Sequence, residues 1–231
     1  MENFAKYLTE TTITGDKESV TVSSDKTVVK DSELMKFFRQ NRVLKDVSFD
    51  KLTTVELRGM FGAFEGCPSL TTARFPVLKT LDAMGMDMAF FCCKALKEVS
   101  FNQLTTVDIN GLSCAFYDCK SLSKVVFPKL YMVYGTGFAE AFKGCTSLIE
   151  VEFPKLAKVN DEAFLNAFEG CTSLTKLSFP MLKTVGDDVF KDAFKGCTKL
   201  KEIHFPKYLE KKLGDIKKNL CAGISNVFFD L

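Results

Sequence analysis

Ala141-Phe142-Lys143-Gly144-Cys145-Thr146-Ser147-Leu148-Ile149-Glu150-Val151-Glu152-Phe153-Pro154-Lys155-Leu156 has five sibling stretches in this chain, spaced 26 residues apart. Its Ala-Phe pair stands at Ala63-Phe64, Ala89-Phe90, Ala115-Phe116, Ala141-Phe142, Ala167-Phe168 and Ala193-Phe194, with no insertion or deletion between copies. A constant period of this length marks a stacked solenoid, in which each unit buries its apolar face against its neighbours and none is stable alone. A degenerate copy comes first: Leu34, Phe37 and Phe38 precede Met60, Ala63 and Phe64 by the same interval, as Leu44, Val47 and Phe49 precede Leu70, Ala73 and Phe75. About seven units therefore span 34–208, between an N-terminal cap (1–33) and a C-terminal cap (209–231).

Within a unit, Leu148-x-x-Val151-x-Phe153 alternates as a half-buried strand does. Pro76, Pro128, Pro154, Pro180 and Pro206, with Asn102 in the remaining copy, close that strand, because proline offers no N–H to a ladder. Leu156 and Val159 form a second apolar pair as the chain turns. Over 161–168, Phe164, Ala167 and Phe168 fall at i, i+3, i+4 behind Asp161 and Glu162, which predicts a short helix with acidic residues in its first turn, stopped at Gly144, Gly170 and Gly196. In the N-terminal cap, Phe4, Tyr7 and Leu8 have the spacing of a short amphipathic helix and Val20-Thr21-Val22 that of a strand. At the other end, 208–220 reads as a Lys-rich helix, and Ile224, Val227 and Phe229 repeat Leu200, Ile203 and Phe205 at a spacing of 24, a last partial strand.

The consensus A-F-x-x-C-x-S-L-x-x-V-x-F-P-x-L-x-x-V, taken from the columns running Ala141 to Val159 and Ala167 to Val185, resembles the repeat of BspA-like (Treponema pallidum type) leucine-rich repeat proteins. The resemblance covers about three quarters of the chain; the extra residues of this longer repeat fall before Ala-Phe. It implies an α/β leucine-rich repeat solenoid with a parallel β-sheet on one face and short helices on the other. It also implies a role in binding proteins, often at cell surfaces in an adhesin-like manner, and no enzyme activity. Its matched positions are scaffold, so no ligand-contact residue carries over.

Composition narrows the function further. The 31 basic and 29 acidic residues leave a net charge of +2, so no global field draws nucleic acid or an anionic membrane. No window approaches 18 consecutive apolar residues, and Met1-Glu2-Asn3-Phe4 opens no basic-then-apolar segment, so neither membrane insertion nor a signal peptide is expected. One histidine, His204, sits at an outward strand position and reads as solvated; no triad or multi-His metal site can be built on it. Cys92-Cys93 lacks a second pair at zinc-ligand spacing, and Gly59, Gly85, Gly111 and Gly137 form a structural column rather than a phosphate loop. No catalytic residue, metal or cofactor is expected.

The exposed columns carry the remaining signal. One place before Val-x-Phe the copies read Asp46, Thr72, Glu98, Lys124, Glu150, Lys176 and Glu202, a charge alternation suited to a cross-strand ladder. Lys51, Lys129, Lys155 and Lys207 form a solvated rim. Against this polar background Val126 replaces Arg74, Ser100, Glu152, Ser178 and His204 of its siblings, and Tyr131-Met132 replaces pairs such as Lys79-Thr80 and Lys183-Thr184, with Tyr134 and Ile149 alongside. Val126, Tyr131, Met132, Tyr134 and Ile149 are therefore the partner-binding candidates, and another protein is the expected partner. The alternative is an assembly module that stacks end to end through Val227-Phe228-Phe229; a monomer is preferred.

Six of the nine cysteines, Cys67, Cys93, Cys119, Cys145, Cys171 and Cys197, share one column. Equivalent side chains of stacked coils run parallel about 4.8 Å apart, whereas a disulfide needs converging Cβ atoms at roughly 3.5–4.5 Å. The column reads as buried free thiols, which suits a reducing compartment. Mass-resolved alkylation of the folded protein should find these six slow and at least one of Cys92, Cys114 and Cys221 fast; a disulfide joining ladder neighbours would contradict the reading.

Overall fold

A computed structural model of the chain describes residues 11–15, 20–213 and 226–230. The segment around Phe4, Tyr7 and Leu8, the cysteine at 221, Ile224 and the end of the expected C-terminal helix lie outside these residues. Each coil has three sides. The first carries the strands Leu44–Ser48, Thr72–Arg74, Glu98–Ser100, Lys124–Val126, Glu150–Glu152, Lys176–Ser178 and Glu202–Phe205, all running the same way. Together with the terminal strands Thr11–Gly15, Val20–Ser24 and Asn226–Phe229 they form two five-stranded sheets that meet where Glu98–Ser100 and Lys124–Val126 lie side by side. The second side is a seven-stranded parallel sheet of two-residue strands, from Val28–Val29 to Thr184–Val185, each with one side chain turned into the core. Register is constant: Val125 faces Val151 and Val133 faces Val159, 26 residues on.

The third side differs from the expected helices. Over 161–171 the odd-numbered amides turn back on their own coil, as in Leu165 N–H to Glu162 C=O (3.0 Å) and Ala167 N–H to Phe164 C=O (3.0 Å). The even-numbered amides cross to the next coil, as in Phe164 to Val189 (2.9 Å), Asn166 to Lys191 (3.0 Å) and Phe168 to Ala193 (2.9 Å). Every fourth residue, Glu162, Asn166 and Gly170 here, has φ between 52° and 74°, so the run is a succession of tight turns. The reason is pitch. An α-helix is about 10 Å across, while the phenylalanine rings stacked from coil to coil are only 5.3 Å (Phe116–Phe142), 5.4 Å (Phe127–Phe153) and 5.5 Å (Phe142–Phe168) apart. A side that must advance at the pitch of a β-ladder has no room for helices, and it satisfies half its amides between coils instead. The inward pattern survives this change: Phe164, Ala167 and Phe168 are fully buried.

The core is one continuous cluster of the repeated Leu, Val, Phe, Ala and Cys columns. The cysteines do more than fill space. Each thiol donates to a carbonyl 29 residues back, from Cys67 to Phe38 (3.0 Å) through Cys145 to Phe116 (3.0 Å) to Cys197 and Phe168 (2.9 Å), and no disulfide joins neighbours within the column. Burial pushes Cys93, Cys119 and Cys171 well above the ordinary thiol range, which disfavours the reactive thiolate. At Gly137, on the corner between second and third sides, an added Cβ would sit 2.6 Å from Val133 Cγ1, which accounts for the glycine column there.

The ends are closed by strands. Thr11–Gly15 pairs antiparallel with Val20–Ser24, which joins the first side beside Leu44–Ser48. At the far end a 3-10 turn, Lys207–Leu209, and one helical turn, Glu210–Leu213, follow Pro206. Asn226–Phe229 then pairs in parallel with Glu202–Phe205 at the expected spacing of 24, with Phe229 stacked 5.8 Å from Phe205.

Glycine at an αL position separates a turn run from a helix. In a helix Glu162→Gly would cost about 1 kcal/mol; at φ 56° it removes a strained left-handed residue, so stability should hold or rise by up to about 1 kcal/mol. The urea-unfolding midpoint measures this.

Candidate interaction surface

Most outward side chains on the first side are charged or polar. Lys124 Nζ meets Glu150 at 2.8 Å and Glu152 at 2.5 Å, and Lys176 reaches Glu202 at 3.8 Å, so part of the expected charge ladder forms. The two carboxylates hold the Lys124 ammonium above its ordinary range. Exposed pairs of this kind stabilise by about 0–1 kcal/mol; they fix register and solubility. A hollow of about 200 Å³ beside them, lined by Glu150, Glu152, Lys176 and Ser178, is smaller than an ordinary small-molecule site of roughly 300 Å³ or more. On the rim, Lys51 pairs with Asp25 at 3.1 Å and Lys129 donates to Gln103 at 2.5 Å.

The five candidate residues fall on two sides. Val126 is half-buried opposite Glu152, and Ile149 is exposed at the entry to Glu150–Glu152, with Lys124 and its two carboxylates between them. Pro128 and Lys129 then turn the chain onto the second side, where Tyr131, Met132 and Tyr134 lie within four residues. Tyr131 is 47% exposed, with Lys158 Nζ 5.9 Å from its ring centre. Met132 is half-buried between Thr106 and Lys158, and Tyr134 replaces the acids Asp82 and Asp108 of its column. Ile109, exposed beside Gly135, extends this apolar run. Comparing its column, where Asp161 and Asp187 stand in later coils, would have found it.

His204 is not simply solvated. Its ring stacks on Phe228 at 4.8 Å, with Nδ1 3.0 Å from Asp230 and Nε2 3.3 Å from Glu202, so it ties the last strand to the coil before it. Alternation placed the side chain outward correctly; the spacing of 24 that brings Phe228 over it was the signal for the rest.

The third side also departs from its siblings. Phe91 and Tyr117 stack at 4.8 Å in a column that holds Arg39, Glu65, Lys143, Glu169 and Lys195 in the other coils. Four residues before Phe91 on the same coil is Asp87, the one buried charged side chain among the described residues. Burial raises its carboxyl from the usual range to about 6, against a hydrogen bond from the Met88 amide that lowers it. Among the described residues no group of three or more His, Cys, Asp or Glu side chains is placed to hold a metal, and no helix is long and apolar enough to cross a membrane.

Stacked coils on a constant register, with the inward Leu148 and Phe153 columns the same in every coil, define a repeat scaffold. The chain belongs to the BspA type leucine-rich repeat family, whose model for a BspA type leucine rich repeat region (6 copies) matches residues 34–139, 60–192 and 166–229. Among solved structures it is similar to a leucine-rich repeat protein of Treponema pallidum at 17% identity and a TM-score of 0.36, covering 90% of this chain and 73% of that one. A leucine-rich repeat protein from Bacteroides ovatus is 21% identical with a TM-score of 0.29, covering 88% of this chain and 66% of the other. Neither superposition is close enough to bear on the shape of this chain, and no curated protein sequence matches it.

The buried carboxylate has a consequence for stability. Below about pH 4 Asp87 is protonated in both folded and unfolded states; as pH rises through about 6 the folded state alone resists ionisation, and stability is lost. Asp87→Asn should therefore raise the unfolding free energy at neutral pH by about 1 kcal/mol, allowing for solvent screening, and leave it unchanged near pH 4. Urea titrations at the two pH values measure the difference.

Proposed function

We propose that this chain is a non-enzymatic scaffold that binds another protein through Tyr131, Met132 and Tyr134 on its second side, with Ile109 adjoining and with Val126 and Ile149 at the margin on the first. A repeat protein's copies serve as controls for one another. Wherever the coil needs an apolar residue, all copies have one, as in the buried Leu148 and Phe153 columns; Tyr131 and Met132 are apolar where siblings carry Thr, Lys or Ala. The observation that carries the reading is that Tyr131 and Tyr134 are exposed aromatics the coil does not use for its own packing, and exposed aromatics of this kind anchor protein interfaces. An adhesin-type role at a cell surface, which the family resemblance implies, belongs to the same proposal. Buried thiols that donate to backbone carbonyls suit a reducing compartment and are also shielded from oxidants.

The test restores sibling residues. Tyr131→Lys with Met132→Thr should change unfolding free energy by no more than about 1 kcal/mol and weaken a captured partner by about 2 kcal/mol or more. Partners are identified by quantitative pull-down with wild type and variant side by side. Unfolding of the variant would make these side chains part of the core, and unchanged capture would move the site elsewhere. Light scattering that grows with concentration would instead favour stacking through Asn226–Phe229.

A further inference from the structure

The third side holds a second surface, independent of the first. Phe91 and Tyr117 stand in a column that is charged in the five other coils, and Met88 occupies the place of Lys36, Glu140 and Asp192. Four residues before Phe91 on the same coil is Asp87, and Phe61 is its equivalent in the preceding coil, one ladder step away. Phe61, Met88, Phe91 and Tyr117 are all half-buried, leaving part of each apolar side chain in water.

Asp87 is only 8% exposed, yet no cation of the described residues lies within ion-pair reach of it. Three cations of this side already have partners. Arg39 is 3.0 Å from Glu65, Lys143 is 3.4 Å from Glu140 and 3.1 Å from Glu169, and Lys36 lies over the Phe61 ring at 5.5 Å. A desolvated carboxylate without a counter-charge costs stability, and the scaffold has no use for it: siblings carry Met35, Phe61, Ser113, Ala139, Leu165 or Lys191 there. An arriving cation would supply the missing charge.

We propose that this side binds an extended polypeptide segment of another protein, in which one lysine or arginine lies between apolar residues. The cation meets Asp87, and the apolar side chains cover Phe61, Phe91 and Tyr117. A lone ammonium ligand fits less well, because Phe91 and Tyr117 lie on each other with 20° between their planes and do not box a cation; the ligand has to bring its own apolar surface. A metal ion would need more than one carboxylate, and nucleic acid would bring phosphate to an anion.

A random-peptide display selection on the full chain tests this, run in parallel on Asp87→Asn and on Phe91→Glu, which restores a sibling residue. Peptides with Lys or Arg flanked by Leu, Ile, Phe or Met should be enriched on the full chain. Their synthetic forms should bind both variants at least about tenfold more weakly and slow the alkylation of Cys114, whose thiol is raised by burial first and then by the charges of Glu140 and Asp87. The Tyr131→Lys, Met132→Thr variant should bind them unchanged, which separates this surface from the one proposed above. Enrichment of peptides without a basic residue, equal affinity for Asp87→Asn, or no enrichment at all would overturn the proposal.

Discussion

Backbone hydrogen bonds between successive coils run round all three sides of this molecule, and their common spacing is the constraint on which the rest depends. On two sides they form ordinary parallel ladders. On the third, alternate amides of the turn run cross to the next coil at 2.7–3.2 Å. Because no side is wider than another by a helix diameter, equivalent residues stack almost directly. The phenylalanine columns show it, with neighbouring rings tilted by only 1° at Phe127 and Phe153 and 4° at Phe90 and Phe116. Such stacks pair large apolar areas at a favourable offset distance, and the thiol column adds a hydrogen bond from each coil to the one before.

That rigidity divides the residues into two populations. Inward columns admit little change, since an altered volume at one coil is felt by both neighbours. Outward columns carry no such demand, so their departures from the sibling pattern bear on partners more than on folding. Two departures concentrate apolar side chains, one around Tyr131 on the second side and one around Phe91 and Tyr117 on the third. The second is distinguished by Asp87, whose burial works against stability at neutral pH. A residue that costs the scaffold something and occurs in one coil alone is where binding chemistry is best sought.

Much of this was legible in the residues. The period, the strand of Leu148, Val151 and Phe153, the cysteine column and the last strand at a spacing of 24 all follow from side-chain pattern, because alternation and repetition report directly which residues face inward. The outward candidates Tyr131, Met132 and Tyr134 were legible by comparison between copies. Phe91, Tyr117 and Ile109 were open to the same comparison, but reading 161–168 and its siblings as helices drew attention to the inward Phe and Ala positions and away from the outward ones.

What the sequence determined by itself is the repeat and the identity of every buried column. What only the tertiary structure decided is the backbone that carries the third side. Phe164, Ala167 and Phe168 point inward equally well from a helix or from turns that reset every four residues, so periodicity cannot choose between them. The choice is made by the neighbouring coils: a side chained to strands about 4.8 Å apart must send its amides across to the next coil, and a helix keeps its amides to itself. The same stacking encloses Asp87 with no counter-charge among the described residues, and nothing in the pattern of its own coil marks that carboxylate as buried.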